Sequence, residues 1–238
     1  MEPLKTRYQR VLLKLSGEAL AKDADGILNF SFIEEIAEVL KKCLAEGVQI
    51  GIIVGAGNIW RGAKSVDMNR VRADSMGMLA TVINALALQD TFLRCGVDTK
   101  VMTAVEMKAF ADPYTARDAV AAMESGKVVI FGGGLGSPYF STDTAAVLRA
   151  AEIEADAVLM AKNIDGIYSA DPKVCPDAKR YEEITYQEIL AKELKALDLT
   201  ATTFCMENDI KAYAFGLKDP MNIYRVVMGE SVGTEIHR

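Results

Sequence analysis

Two cations lie beside glycine-bearing loops. Lys14 stands just ahead of Ser16-Gly17, and Arg61 follows Gly55-Ala56-Gly57-Asn58. An ammonium on a flexible stem can reach bound phosphates, and a guanidinium fork matches phosphate oxygens. A surface lysine at a strand end and an arginine at an exposed helix start would look the same, and spacing alone does not separate these readings. A third stretch, residues 128–143, is more telling. Val128, Val129, Ile130 and Phe131 suit a strand buried on both faces. Gly132, Gly133, Gly134 and Gly136 follow, then Ser141, Thr142 and Asp143 ahead of a helical run. Strand, glycine loop and helix N-terminus together aim free N–H groups and the positive end of a dipole at one place, which suits a phosphate. Lys162-Asn163-Ile164-Asp165-Gly166 puts another lysine at a strand end, with Tyr168 and Asp171-Pro172 in the turn-rich segment beyond. Tyr168 has two readings, a border for a flat base or simple packing.

Other chemistries are excluded by what is missing. The only histidine is His237, next to last, so a Ser-His-Asp or Cys-His mechanism has no base. No Gly-Lys-Ser/Thr follows the second loop as a P-loop requires, and its glycines do not make a dinucleotide fingerprint.

The elements that must carry these residues read as alternating strands and helices. Strands are expected at 11–15, 48–54, 98–103, 127–131, 157–161 and 212–215, with 233–236 ending the sheet. Residues 18–30 read as a loop, with Asp23, Asp25 and Gly26 as turn residues. Ser31-Phe32-Ile33-Glu34 fits a capping box for an amphipathic helix that Gly47 stops. Residues 64–73 are a polar, basic connection. A long helix over 74–93 is apolar around most of its circumference, which predicts burial, in a subunit interface for a chain of this length or, as the competing reading, deep within the monomer. Asp74 falls at its expected start, where the dipole favours a carboxylate. Trp60 reads as packing. Further helices are expected at 113–123, 144–155, 185–197, 201–207 and 220–228. Three apolar strands ending in glycine loops predict a ligand outside the carboxyl ends of a parallel sheet.

The 238 residues suffice for one large α/β domain, and no linker or repeat divides them. A net charge of -6 argues against broad nucleic-acid binding, although a cationic pocket for a small anion fits within an acidic protein. Cys43, Cys95, Cys175 and Cys205 are scattered, as for reduced thiols in a cytoplasmic protein. No signal-peptide pattern and no continuous apolar stretch of about 18 residues is evident, so no membrane association is expected.

Several segments together resemble bacterial UMP kinases of the amino-acid kinase superfamily. They are Lys14-Leu15-Ser16-Gly17-Glu18-Ala19-Leu20, Gly57-Asn58 with Arg61-Gly62, Asp74 with residues 76–81, and Ser141-Thr142-Asp143. Asp165-Gly166 with Ala170-Asp171-Pro172, and residues 226–230 with Gly233-Thr234, complete the set. The resemblance implies an open, mainly parallel sheet sandwiched between helices, in a single domain over 1–238. The N-terminal part would mainly hold UMP and the C-terminal part ATP. It implies transfer of the γ-phosphoryl group of MgATP to UMP, giving UDP and ADP in pyrimidine nucleotide biosynthesis. Lys14, Leu15, Ser16, Gly17, Gly57 and Arg61 would hold ATP phosphates, with Lys162, Asn163, Tyr168 and Asp171 around the adenosine. Ala56, Asp74, Leu135, Gly136, Ser137, Pro138, Tyr139, Phe140, Ser141 and Thr142 would hold UMP. The resemblance further implies a homohexamer, inhibition by UTP and, in many bacteria, activation by GTP. The sequence departs from the family at Ala56, where a third glycine is usual, and at Leu135 and Ser137, where Thr and Asn are usual.

Phosphoryl transfer asks mainly for positioning and charge stabilisation. A UMP phosphate oxygen is already ionised at neutral pH, so the lack of a histidine base is no obstacle. Lys14 and Arg61 are the expected catalytic cations, and Asp143 is expected to orient Lys14 or to help hold magnesium. Rival readings are a superfamily kinase acting on a carboxylate, a dinucleotide-binding oxidoreductase and a non-catalytic nucleotide sensor.

Overall fold

The computed structural model describes residues 6–21, 26–61, 68–172, 174–194 and 196–238. The expected turn residues Asp23 and Asp25, as well as Gly62 and the first part of the basic connection (64–67), lie outside them.

The described strands are β1 (Arg10–Leu15), β2 (Gln49–Val54), β3 (Thr99–Thr103), β4 (Asp112–Pro113), β5 (Val128–Gly132), β6 (Ala157–Lys162), β7 (Glu183–Thr185), β8 (Ala212–Gly216) and β9 (Gly233–His237). They form one sheet in the order β4-β3-β5-β2-β1-β6-β8-β9-β7. Pairing is parallel from β4 to β8, and β9 runs antiparallel to β8 with β7 alongside it. The described helices are α1 (Gly17–Leu20), α2 (Phe30–Ala45), α3 (Arg70–Arg94), α4 (Ala116–Glu124), α5 (Thr142–Glu152), α6 (Tyr186–Ala191), α7 (Leu199–Glu207) and α8 (Met221–Val227).

Strand periodicity divides the core into two. Successive side chains point to opposite faces of a sheet. Val11, Leu13 and Leu15 of β1 pack with Ile50, Ile52 and Val54 of β2 against α2, α3 and α8. Leu12, Ile53, Val129, Phe131, Val158 and Met160 pack against α4, α5, α6 and α7. The result is the expected three-layer α/β/α sandwich. The same alternation decides where charges go: Lys14 on β1 and Lys162 at the end of β6 continue the α5 face. The order in which strands are added reverses between the parallel neighbours β1 and β6, because β1 leads to β2 on one side and β6 leads to β8 on the other. Such a switch point opens a crevice at the strands' carboxyl ends. Helix α5 bridges from β5 to β6 over β1 and β2, which brings its N-terminus to that crevice.

Local expectations differ from the structure at several places. The cap of α2 is Asn29, whose side chain accepts from Phe32 N at 3.1 Å, so the helix starts before Ser31. The competing acceptor lay closer to the first apolar residue of the buried stripe. Residues 17–20 are helical, not loop. Asp112–Pro113 pairs beside β3 at the sheet's edge, and Thr115 caps the helix that was expected to begin at 113. Proline is tolerated at such an edge. Helix α6 ends early because Glu193 takes a left-handed conformation (φ 51°). Helix α3 starts at Arg70, capped by Asn69, which puts Asp74 in its second turn and removes it from the dipole end.

Helix α3 also corrects one broader expectation. It is not buried all round: Ala85, Leu88 and Phe92 face the sheet, whereas Met76, Leu79, Ile83 and Leu93 are exposed. Its length and composition reach those of a membrane-crossing helix, although Thr81, Asn84, Gln89 and Asp90 interrupt the apolar run. Core helices packed on a sheet meet the same criterion, and one face of α3 is such a core surface.

Candidate active site

Lys14 enters the crevice from the penultimate position of β1. Its Nζ lies 3.0 Å from Asp143 Oδ1, and both side chains are mostly shielded from solvent. Asp143 is held there by the cap of α5: the Ser141 hydroxyl accepts from Asp143 N at 3.0 Å and from Thr144 N at 3.1 Å. The Ser141 hydroxyl in turn donates to Asp198, which also accepts from Thr144 Oγ1 at 3.1 Å and caps α7 through Ala201 N. The N-termini of α5 and α7 therefore converge on the Asp198 carboxylate, while Asp143 in the first turn of α5 reaches Lys14. Leu15 is wholly buried, so its side chain cannot meet a ligand.

The loop after β2 packs directly against the loop after β1. A Cβ on Gly17 would fall 2.4 Å from Asn58 Oδ1 and 2.5 Å from the Gly55 carbonyl oxygen, so no larger residue fits. Arg61 pairs with Glu18, whose side chain also lies against Gly57. Trp60 donates from Nε1 to the Ala73 carbonyl at 2.9 Å, which agrees with a packing role.

The loop after β5 turns through three left-handed glycines, Gly133 (φ 79°), Gly134 (φ 56°) and Gly136 (φ 76°). Side chains rarely adopt this backbone region. Tyr139 adopts it as well (φ 71°), with its N–H donating to Asp74 Oδ2 at 2.8 Å. Arg70 holds the same Asp74 oxygen at 2.7 Å. Thr81 accepts from Gly133 N at 2.9 Å.

Between the second and third loops lies a cavity of about 330 Å³. Its walls include Ala56, Gly57, Arg61, Asp74, Ser141 and Thr142, with Leu135, Ser137 and Phe140 closing one side. Gly136, Pro138 and Tyr139 belong to the same loop but do not line it, and the Tyr139 ring is exposed near the Arg70 guanidinium. Lys14 stands outside the cavity wall, tied to Asp143 one residue beyond Thr142.

On the other side of β1, Lys162 ends β6 and donates to the Ala196 carbonyl ahead of α7. Burial pushes its ammonium below the ordinary lysine value, Asp143 opposes this, and neighbouring Lys14 adds to it. Lys162 thus shares the electrostatics of the Lys14–Asp143 pair. Asn163 and Asp171 are exposed in the segment that follows, and Tyr168 donates to Asp165 Oδ1 at 2.8 Å. The expected residues fall in two groups on either side of the β1–β6 boundary, with Lys14 and Asp143 between them.

Glu18, Thr81, Asn84 and Asp198 were not singled out from the sequence. Glu18 and Thr81 fell within the family motifs without a role. Asn84 and Asp198 lie on a helix or at its end, where their residue types read as ordinary, and only tertiary contact reveals their partners.

The arrangement offers backbone N–H groups, two helix N-termini and clustered cations to anions on both sides of one lysine. Among the described residues no group of three His, Cys, Asp or Glu side chains is arranged to hold a metal. In an open α/β fold this geometry suits an anionic ligand such as a phosphate. Residues 9–215 match the amino acid kinase family, and the chain belongs to it. The structure of a UMP kinase from Bacillus anthracis superposes with a TM-score of 0.92 at 36% identity, covering 97% of this chain and 96% of the other. A UMP kinase from Ureaplasma parvum gives 0.92 at 39% identity, over 98% and 100%. A uridylate kinase from Archaeoglobus fulgidus gives 0.72 at 29%, over 95% and 99%.

Proposed function

We propose that the protein is a UMP kinase, transferring the γ-phosphoryl group of MgATP to UMP to give UDP and ADP in pyrimidine nucleotide biosynthesis. The observation that carries this reading is the Lys14–Asp143 pair at the switch point, with a nucleotide-sized cavity on one side and the Lys162 segment on the other. UMP would occupy the cavity, its phosphate against Ala56, Arg61 and the α5 N-terminus. ATP would lie over the ends of β1 and β6, its phosphates on the backbone of residues 15–17 and on Gly57, its adenosine against Asn163, Tyr168 and Asp171. The chain would then be one domain with an acceptor half and a donor half.

Lys14 and Arg61 would neutralise charge on the phosphoryl group as it crosses, and Asp143 would hold Lys14 in line. Magnesium would arrive on the ATP phosphates, with Asp143 the nearest carboxylate to Lys14. An ion bound mainly through phosphate oxygens and water needs no all-protein cage. Its chemistry would be neutralisation of the β- and γ-phosphate oxygens.

We also propose a cytoplasmic homohexamer inhibited by UTP, which shares its uracil and ribose with UMP. GTP activation would need its own site. A second cavity, of about 500 Å³, lies along β3 between Lys100, Lys108 and Lys127 and shares no wall with the first. Each of these lysines is paired with an acid, so an anion there would have to displace Asp112, Glu106 or Asp98.

A coupled assay for ADP release, run with UMP, CMP, AMP and GMP, tests the reading. UMP is expected to turn over fastest. A hydroxylamine trap for acyl phosphates runs in parallel. ADP release with a carboxylate acceptor, and none with UMP, would overturn the assignment in favour of a carboxylate kinase. Comparable rates with UMP and CMP would place the loss of uracil selectivity at Leu135 and Ser137.

A further inference from the structure

Asn84 is wholly buried in the middle of α3, a polar side chain with no part in the expected chemistry. Its Nδ2 donates to the Gly55 carbonyl at 2.8 Å and to Asn58 Oδ1 at 2.8 Å. Asn58 answers with Nδ2, donating to Asn84 Oδ1 at 3.0 Å and to the Ile27 carbonyl at 2.7 Å. All four amide hydrogens of this pair are used. A buried amide so fully satisfied fixes geometry, because any other arrangement leaves a polar group unpaired.

The carbonyl it fixes matters. Gly55 C=O and Ala56 N–H belong to one peptide plane and point in opposite directions when the bond is trans, and no cis bond occurs among the described residues. Pinning Gly55 O toward α3 turns the Ala56 N–H away from α3. Among the described residues, neither that N–H nor that of Gly57 donates a backbone hydrogen bond, and both residues line the cavity. Thr81, one turn earlier on α3, holds Gly133 N of the facing loop, and Asp74 holds Tyr139 N. One flank of α3 therefore carries both loops.

We infer that Asn84 is a positioning residue for phosphoryl transfer. By fixing the Gly55–Ala56 peptide it aims the Ala56 N–H at the phosphate in the cavity. The inference rests on the reading of that cavity as a nucleotide phosphate site, though not on uracil as the base.

The test uses the full chain and compares wild type with Asn84→Asp, assayed at a pH where it is ionised, since as a carboxylate it keeps an acceptor for Asn58 but cannot donate to Gly55 O. Asn84→Ser, smaller and uncharged, answers the same question if the carboxylate prevents folding. Steady-state kinetics are measured below the unfolding midpoint of each variant. A kcat lower by about 100-fold is expected, as for a displacement of about 1 Å at a reacting group, with either KM changed by less than about threefold. A purely structural Asn84 would lower the midpoint and leave kcat per folded molecule near wild type, and that result overturns the inference. If wild type transfers to another monophosphate instead of UMP, the substrate reading fails and the Asn84 comparison proceeds on that acceptor.

Discussion

Lys14 and Arg61 were both expected to be catalytic cations, but their surroundings differ. Lys14 is shielded and held by one carboxylate in the crevice. Arg61 is more exposed and reaches Glu18 across the mouth of the cavity. Removing Lys14 should therefore act on the chemical step. Lys14→Ala is expected to lower kcat by about 10²–10³-fold, by analogy with loss of an oxyanion-hole donor, with the unfolding midpoint near wild type. Arg61→Ala should raise the KM for UMP as well as lower kcat. Because exposed ion pairs contribute about 0–1 kcal/mol, its stability cost should be small. Single-turnover and steady-state kinetics separate the two, and wild-type turnover by Lys14→Ala would remove that residue from the mechanism. Lys14 was legible because a cation near a strand's end and a glycine are neighbours in the chain. Glu18 and Asp198 were not, since their partners Arg61 and Ser141 come from other segments.

Elements show the same division. The β5 loop and the start of α5 were readable, because strand, glycines and cap follow one another within 128–143. The approach of the β1 loop to the β2 loop was not readable, and Gly17 carries its consequence. Helix propensity alone favours alanine over glycine by about 1 kcal/mol inside a helix. Gly17 opens α1, so Gly17→Ala would be a stabilising change on local grounds. The contact opposes it: a Cβ would sit 2.5 Å from a backbone oxygen that Asn84 already holds in place. Overpacking of this kind costs about 1–3 kcal/mol. Gly17→Ala is expected to be destabilising in urea unfolding and to weaken nucleotide binding. A variant more stable than wild type, with unchanged affinity, would mean that the loops separate freely.

For the whole molecule, the alternation of strand residues made the three-layer fold legible. Only the short edge strands β4 and β7 went unread; the strand expected at 233–236 forms as β9, but β7 rather than β9 ends the sheet. Burial on this scale also sets an alkaline limit. Desolvation raises the Cys43 thiol from 9.0 to about 12 and the Cys205 thiol to about 11. Above pH 9 the unfolded chain releases these protons while the folded chain retains them. Stability should therefore be fully present below pH 9 and fall as pH rises from 9 toward 12. Unfolding midpoints across that range should decline, and Cys43→Ala should decline less steeply. A wild-type midpoint independent of pH between 9 and 11 would contradict the burial of these thiols. The same scale holds the surface that the fold leaves uncovered. Met76, Leu79, Ile83 and Leu93 form an exposed apolar stripe on α3, opposite the flank that carries the two loops. Spacings of three, four and ten residues keep them on one side of the helix. Contiguous exposed apolar surface commonly marks an association site. Self-association through α3 would bury the stripe and stiffen the helix from which Asn84, Thr81 and Asp74 hold the loops, so assembly and turnover should fall together. Leu79→Glu with Ile83→Glu is expected to give a smaller species in sedimentation velocity at micromolar concentration, with reduced kcat. Wild type sedimenting as a monomer at that concentration, or a fully active monomeric variant, would break the link between this face and the active site.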